Sequence, residues 1–199
     1  MIAHEFGLSS SQIEAALPEL DAPAGRLEVV SGPDDAYSVL VDFAHTPDAL
    51  RSAIEAVRPA VGAGGAGGEL RVLFGCGGDR DRTKRPLMAK AVFASADVVY
   101  VTSDNPRTES PSAIIDDVLA GVPSGDRKNA IVHVDRRMAI EAAVADLRPG
   151  DVLLIAGKGH EPYQLLPDPT MPGGIRKIDF DDRREARRAL RQRTPELAG

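Results

Sequence analysis

The stretch LRVLFGCGGDRDRTKRPLMAKAVFASADVVYVTSDNPR, residues 70–107, holds two short apolar runs, each opening into a polar loop marked by Gly or Pro. LRVLFG and DVVYVTS are β-branched and aromatic with little polar alternation, as expected of strands covered on both faces. LMAKAVFASA between them reads as a helix. A strand, a helix and a second strand joined by short links point to parallel pairing.

The same alternation continues outward on both sides. Upstream, AYSVLVDF (36–43) is a near-continuous apolar strand. Thr46-Pro47-Asp48 then starts a helix with a capping hydroxyl and an early Pro. Leu50, Ile54, Val57 and Val61 follow at helical spacing. GAGGAGGE (62–69) is a flexible surface connection. Nearer the N-terminus, Ser9-Ser10-Ser11 caps a helix QIEAALPEL, and Gly25 opens a strand RLEVVS.

Downstream come helix SAIIDDVLAGV, strand AIVHVD, helix RRMAIEAAVADL, turn RPGD and strand VLLIAG. The remainder reads as a loop, a short strand around Ile178 and a charged terminal helix. The expected fold is α/β, with a Rossmann-like, mostly parallel sheet and helices on both faces. Ligands of such sheets sit beyond the carboxyl ends of the strands. The loops Asp42 to Asp48, Gly75 to Arg85, Asp104 to Arg107 and Gly157 to Glu161 should therefore share one rim.

Composition narrows the function classes. The chain has 199 residues, 24 Lys plus Arg against 30 Asp plus Glu, and a net charge of −6. That balance argues against a general basic surface for nucleic acid. Of the 24 cations 19 are Arg, which favours sites that clamp carboxylate or phosphate. One cysteine, Cys76, forms no internal disulfide and builds no zinc site alone. Apolar runs are strand-sized, and the first residues lack the pattern of a signal peptide. A cytoplasmic monomer with no membrane or nucleic-acid partner is the expectation.

Each rim loop has a functional and a plain reading. GCGGDRDRTKRP lets backbone approach a ligand while offering Arg forks, or is a solvated turn whose charges pair among themselves. In SDNPR, Pro106 holds Asn105 extended so that Asn105 and its neighbours project in set directions; the alternative is an ordinary Asn-Pro turn. GKGHE is no phosphate loop, since Lys158 precedes Gly159 and no Walker motif occurs in the chain. Asp42, His45 and Asp48 in DFAHTPD suggest a metal site, yet His4, His133 and His160 show no ligand spacing. His133 reads as a core or sheet residue, Cys76 as a packing residue, and Arg183 to Arg191 with Glu185 as a solvated helix face.

Taken in this order, VDFAHTPDAL, FGCGGDRDRTKRPLM, TSDNPR and IAGKGHEPYQ resemble the C-terminal domain of the Mur ligase family. Within it they look like the members that add the third residue of the peptidoglycan stem peptide. The resemblance runs from AGRLEVV near residue 25 to DFDDRREA near residue 186. Residues 1–24 look like the end of the family's central ATP-binding domain, leaving 25–199 as the C-terminal domain.

The resemblance implies an amide ligase, with ATP and Mg2+ as cofactors and UDP-N-acetylmuramoyl-L-alanyl-D-glutamate as one substrate. In the family, ATP phosphorylates the substrate carboxylate and an incoming amino group attacks the acyl phosphate, inside a site completed by hinge closure. By position it implies that Arg26, Asp42 and His45 contact ATP. Arg80, Asp104, Asn105, Pro106, Arg107, Gly157 and Glu161 would hold the incoming amino acid. Members adding meso-diaminopimelate carry DNPR, whereas lysine-adding members lack that arginine. Arg107 suits the extra distal carboxylate and Glu161 the neighbouring ammonium. The family's Walker loop, modified lysine, magnesium carboxylates and UDP-binding domain have no counterpart here. The chain alone is therefore expected to be inactive, as a fragment or a truncated reading frame. Two other readings are a folylpolyglutamate-synthase-like ligase, which the DNPR and GKGHE loops do not suit, and a non-catalytic Rossmann-like binding module left after domain loss.

Overall fold

Seven consecutive buried residues, Leu70–Cys76, form the central strand β3, and the rest of the molecule is layered around it. The computed structural model describes residues 9, 11–12, 23–63, 65, 67–123, 125–126 and 130–193. In chain order the elements are β1 (Glu28–Val29), β2 (Ser38–Asp42), α1 (Pro47–Val57), β3, α2 (Lys84–Phe93), β4 (Val98–Ser103) and α3 (Pro111–Leu119). Then follow β5 (Ala130–Val132), α4 (Arg136–Ala145), β6 (Val152–Ala156), β7 (Tyr163–Pro167), β8 (Ile175–Asp179) and α5 (Asp182–Arg193). Among the described residues no helix is long and apolar enough to cross a membrane.

Six strands pair in the order β1-β2-β6-β3-β4-β5. Only β1 runs antiparallel. Alternate residues of β3 feed two cores, as the period of a strand requires. Val72 and Phe74 face Leu50 and Ile54 of α1, Met88 and Val92 of α2, and Ile114 of α3. Leu73, paired with Tyr100 and Ile155, faces Ile140 and Val144 of α4 and Ala186 of α5. Connections that advance from β2 through β3 and β4 to β5 place their helices on one face, and the return to β6 places α4 on the other. Right-handed crossovers demand that switch of face when the direction reverses. β6 is thereby inserted between β2 and β3, and the crevice at this reversal is where such sheets hold ligands.

The fold is the expected one, with local differences. Thr46 caps α1 as read, accepting from the Ala49 amide (3.2 Å), a cap that contributes about 1 kcal/mol. Burying Leu50, Ile54 and Val57 beneath it adds roughly 1.5–3 kcal/mol each. The strand expected over RLEVVS shrinks to the two residues of β1. The region after GKGHE is not a loop with one strand: β7 and β8 form a separate antiparallel hairpin. His133 lies just past β5, half-buried, its amide still bonded to Val101 O (3.2 Å), so it is a sheet-end residue outside the core. The terminal helix is more than a solvated face. Its Asp182, Ala186 and Ala189 are buried, because α5 closes the second core. The helix expected over QIEAALPEL lies, Gln12 apart, outside the described residues.

Candidate functional site

Past the end of β3 the chain must run beside β4, and glycines make this possible. A Cβ on Gly75 would stand 2.4 Å from Thr102 O, and one on Gly78 only 1.9 Å from Pro106 O. Two rim loops are consequently zipped together. The Gly78 amide donates to Asn105 O (2.9 Å), the Asp79 amide to Glu109 (2.6 Å), and Thr108 Oγ1 to Asp79 (2.8 Å). Arg85, 1% exposed, is the pin: it forms a two-bond fork on Glu109 (2.7 and 2.9 Å), reaches Asp117 (2.8 Å) and donates to Gly77 O (3.2 Å). Its guanidinium holds the Glu109 and Asp117 carboxyls below the usual carboxylate range.

Arg107 is treated differently. Its backbone is left-handed, with φ 55°, and is held there by its own amide bonding to Leu165 O (3.0 Å). Nη1 donates to Gly78 O (2.7 Å) and Asn105 O (3.3 Å), so one edge of the guanidinium is fixed on backbone. Among the described residues Arg80 donates only to Asp79 O (3.2 Å). Among the described residues no carboxylate pairs with either, whereas Arg71, Arg82, Arg85, Arg136 and Arg137 all have acidic partners. Two cations without counter-charge at one rim suit an anionic ligand.

The loop after β6 supplies the opposite charge. Glu161 Oε2 accepts from Asn105 Nδ2 (2.9 Å) and Lys158 Nζ (3.3 Å). Asn105 Oδ1 accepts from Lys158 (3.2 Å) and from the Leu165 amide (2.9 Å), so β7 locks the Asp104 to Arg107 loop from outside. Below them Arg136 is wholly buried. It forks onto Asp182 (2.7 and 2.8 Å) and donates to Ser103 O (3.2 Å) and Ala156 O (2.9 Å), the carboxyl ends of β4 and β6.

At the end of β2, Asp42 is buried and its two oxygens accept from the amides of Leu27 (2.8 Å) and Ala44 (2.7 Å). It shapes the segments carrying Arg26 and His45 and does not itself line the cleft. His45 Nδ1 bonds Phe43 O (2.7 Å), and the Phe43 ring lies against His45, His160 and the exposed Arg26 guanidinium, 5.0 Å away.

These loops enclose a cleft of about 370 Å³. Of the residues singled out from sequence, His45, Arg80, Asp104, Asn105, Arg107, Gly157 and Glu161 line it, while Arg26, Asp42 and Pro106 stand outside. Cys76 also lines it, but burial, with Asp104 adding, pushes its thiol up to about 12, and it packs against the Met88 sulfur (3.6 Å). It is no nucleophile at neutral pH. Among the described residues no three His, Cys, Asp or Glu side chains gather as metal ligands. Sequence reasoning missed Arg85, Arg136 and the positioning of Lys158. Lys158 sat inside a quoted motif; for Arg136, 21 residues upstream of the loop it supports, there was no local signal.

Comparison with known proteins gives the family of the chain. A family model described as Mur ligase, glutamate ligase domain, matches residues 25–159. A UDP-N-acetylmuramoyl-L-alanyl-D-glutamate--2,6-diaminopimelate ligase from Gloeobacter violaceus is 51% identical over 94% of this chain and 36% of that protein. A solved structure of a ligase of that name superposes with a TM-score of 0.72 and 39% identity, over 96% of this chain and 36% of the other. A bifunctional folylpolyglutamate synthase/dihydrofolate synthase from Yersinia pestis shares the fold alone, with a TM-score of 0.54 and 22% identity over 75% of this chain and 32% of that one. The chain thus spans about a third of the length of the ligases it resembles.

Proposed function

Since the chain belongs to the Mur ligase family, as its glutamate ligase domain, we propose that it is the C-terminal part of an ATP-dependent ligase adding meso-diaminopimelate to UDP-N-acetylmuramoyl-L-alanyl-D-glutamate. Residues 25–199 are the C-terminal domain in this reading, and 1–24 the end of a central ATP-binding domain. The working protein is a cytoplasmic monomer. The chain alone is inactive, because the phosphate loop lies in the part of the relatives beyond it.

The observation that carries the reading is the charge layout of the cleft. Arg80 and Arg107 offer two unpaired guanidinium groups. Asp104 and Glu161, around the single ammonium of Lys158, leave one net negative charge. A ligand with two carboxylates and one ammonium matches that layout, provided its second amine is neutral and free to attack. Diaminopimelate meets this description; lysine lacks one carboxylate.

In the reaction, the amine nitrogen attacks the acyl carbon of the phosphorylated substrate, the carbon–oxygen bond to phosphate breaks, and phosphate leaves with the electron pair. The amine's proton passes to solvent or to a base outside this chain. Residues of this chain position the nucleophile and screen its carboxylates, a contribution of orientation and electrostatics. Arg26 and His45, exposed beside Phe43, would contact ATP in this reading, and Asp42 braces the segments that carry them through the Leu27 and Ala44 amides.

The test is a domain exchange. Residues 25–199 replace the corresponding third of the Gloeobacter violaceus ligase, and phosphate release is followed with each amino acid. Phosphate release that depends on diaminopimelate and fails with lysine is expected. A chimaera that folds and uses both amino acids equally, or neither, overturns the assignment.

A further inference from the structure

We propose that Lys158 is a positioning residue that sets the selectivity of the cleft for the ammonium end of its ligand. The inference rests on the ligase reading above and adds to it a residue that touches no reacting atom. Lys158 is 0% exposed and does not line the cleft, yet its ammonium bonds three residues that do, Asp104, Asn105 and Glu161. A lysine has three N–H donors. Here three acceptors surround it: Asn105 Oδ1 (3.2 Å), Glu161 Oε2 (3.3 Å) and Asp104 Oδ1 (3.4 Å). The Tyr163 ring closes the remaining side, 5.7 Å from Nζ. Every donor is spent on the protein, so Lys158 has none left for a ligand.

What the ammonium does is choose which atoms the ligand meets. It takes Oε2 of Glu161, together with Asn105 Nδ2, and among the described residues nothing pairs with Oε1. It takes Oδ1 of Asp104 and, with the Leu165 amide, keeps the Asn105 oxygen turned inward. It also cancels one of the two carboxylate charges, Asp104 and Glu161, that it bridges. Arg136, the other buried cation nearby, is spent on Asp182 and two carbonyls and cannot substitute. The ligand then finds one outward carboxylate oxygen on Glu161 and one net negative charge. That arrangement selects a single ammonium beside a carboxylate.

The experiment compares wild type with Lys158→Met in the full-length ligase. Removing a hydrogen-bonded charge should raise KM for diaminopimelate by about 10- to 100-fold, while kcat changes several-fold at most and KM for ATP stays put. Preference over 2-aminopimelate, which lacks that ammonium, should shrink in the same variant. In Lys158→Ala, added ethylammonium should restore KM for diaminopimelate and equimolar propanol should not; a merely space-filling lysine would be served by either. A folded Lys158→Met enzyme with wild-type KM and wild-type preference overturns the inference and leaves the ligase reading intact. If the wild-type enzyme does not use diaminopimelate, the ligase reading falls instead. In that case the Asn105 side-chain amide resonances of the 199-residue chain still decide. They should shift and broaden in Lys158→Met, and unchanged resonances overturn the positioning role.

Discussion

Arg107 joins backbone strain and ligand chemistry in one residue. A left-handed conformation costs a non-glycine residue roughly 1–2 kcal/mol, and here the Leu165 carbonyl and the side chain's grip on Gly78 O hold it. Two substitutions separate the contributions. Arg107→Ala removes the guanidinium and keeps the strain, whereas Arg107→Gly removes both. By denaturant unfolding the Gly variant should exceed the Ala variant by roughly 0.5–1 kcal/mol, the strain relieved less the entropy glycine loses. Both should lose about 2–5 kcal/mol of preference for diaminopimelate over lysine, the scale for a buried charge pair broken on one side. Equal stabilities would refute the strain, and retained preference would refute the ligand role. The motif around Arg107 was legible in the sequence; its left-handed backbone was not, because Leu165 comes from a hairpin strand that the sequence did not announce.

At the scale of elements, the cleft depends on two loops that brace each other. Arg85 opens the second residue of α2 inward, against Glu109 before α3 and Asp117 within it. The Arg85 hydrogen bonds are the largest influence on both carboxyls and lower both. Carboxyls lowered on folding contribute stability that is complete above their unfolded values, about 4, and that fades as pH falls through the folded ones. Urea midpoints should therefore drop between neutral pH and pH 3, and Glu109→Gln should flatten that acid limb. An acid limb identical in wild type and variant would show that the pair contributes nothing to it. Sequence inspection found this loop but read its charges as either ligand-binding or self-pairing. The self-pairing reading holds for Arg82 and Arg85, which pair with carboxylates of the protein, whereas Arg80 in the same loop has no carboxylate partner among the described residues.

At the scale of the molecule, one buried ion pair joins the face covered by α4 and α5 to the rim on which the ligand would lie. Arg136 and Asp182 are both sealed from solvent, and the guanidinium also holds the last carbonyls of β4 and β6. Asp182→Asn leaves that cation uncompensated and should cost about 3–5 kcal/mol in denaturant unfolding. The double variant Arg136→Met with Asp182→Leu should lose less than the single one, since a buried pair can be exchanged for apolar packing. It should still weaken diaminopimelate binding, because the ends of β4 and β6 lose their shared donor. A single variant as stable as wild type would remove Arg136 from this role.

From the sequence by itself follow the α/β layering, the strand and helix positions around the sheet, and the four loops at its carboxyl edge. These rest on local pattern, the covered apolar runs and the punctuation of Gly and Pro, which neighbouring residues decide among themselves. Only the tertiary structure decided which charges are free and which are spent. Asp42 is consumed by two amides, Arg85 by two carboxylates and Lys158 by three acceptors, each through partners brought close by chain folding. A charge's availability depends on what faces it in space, and sequence neighbours do not record that.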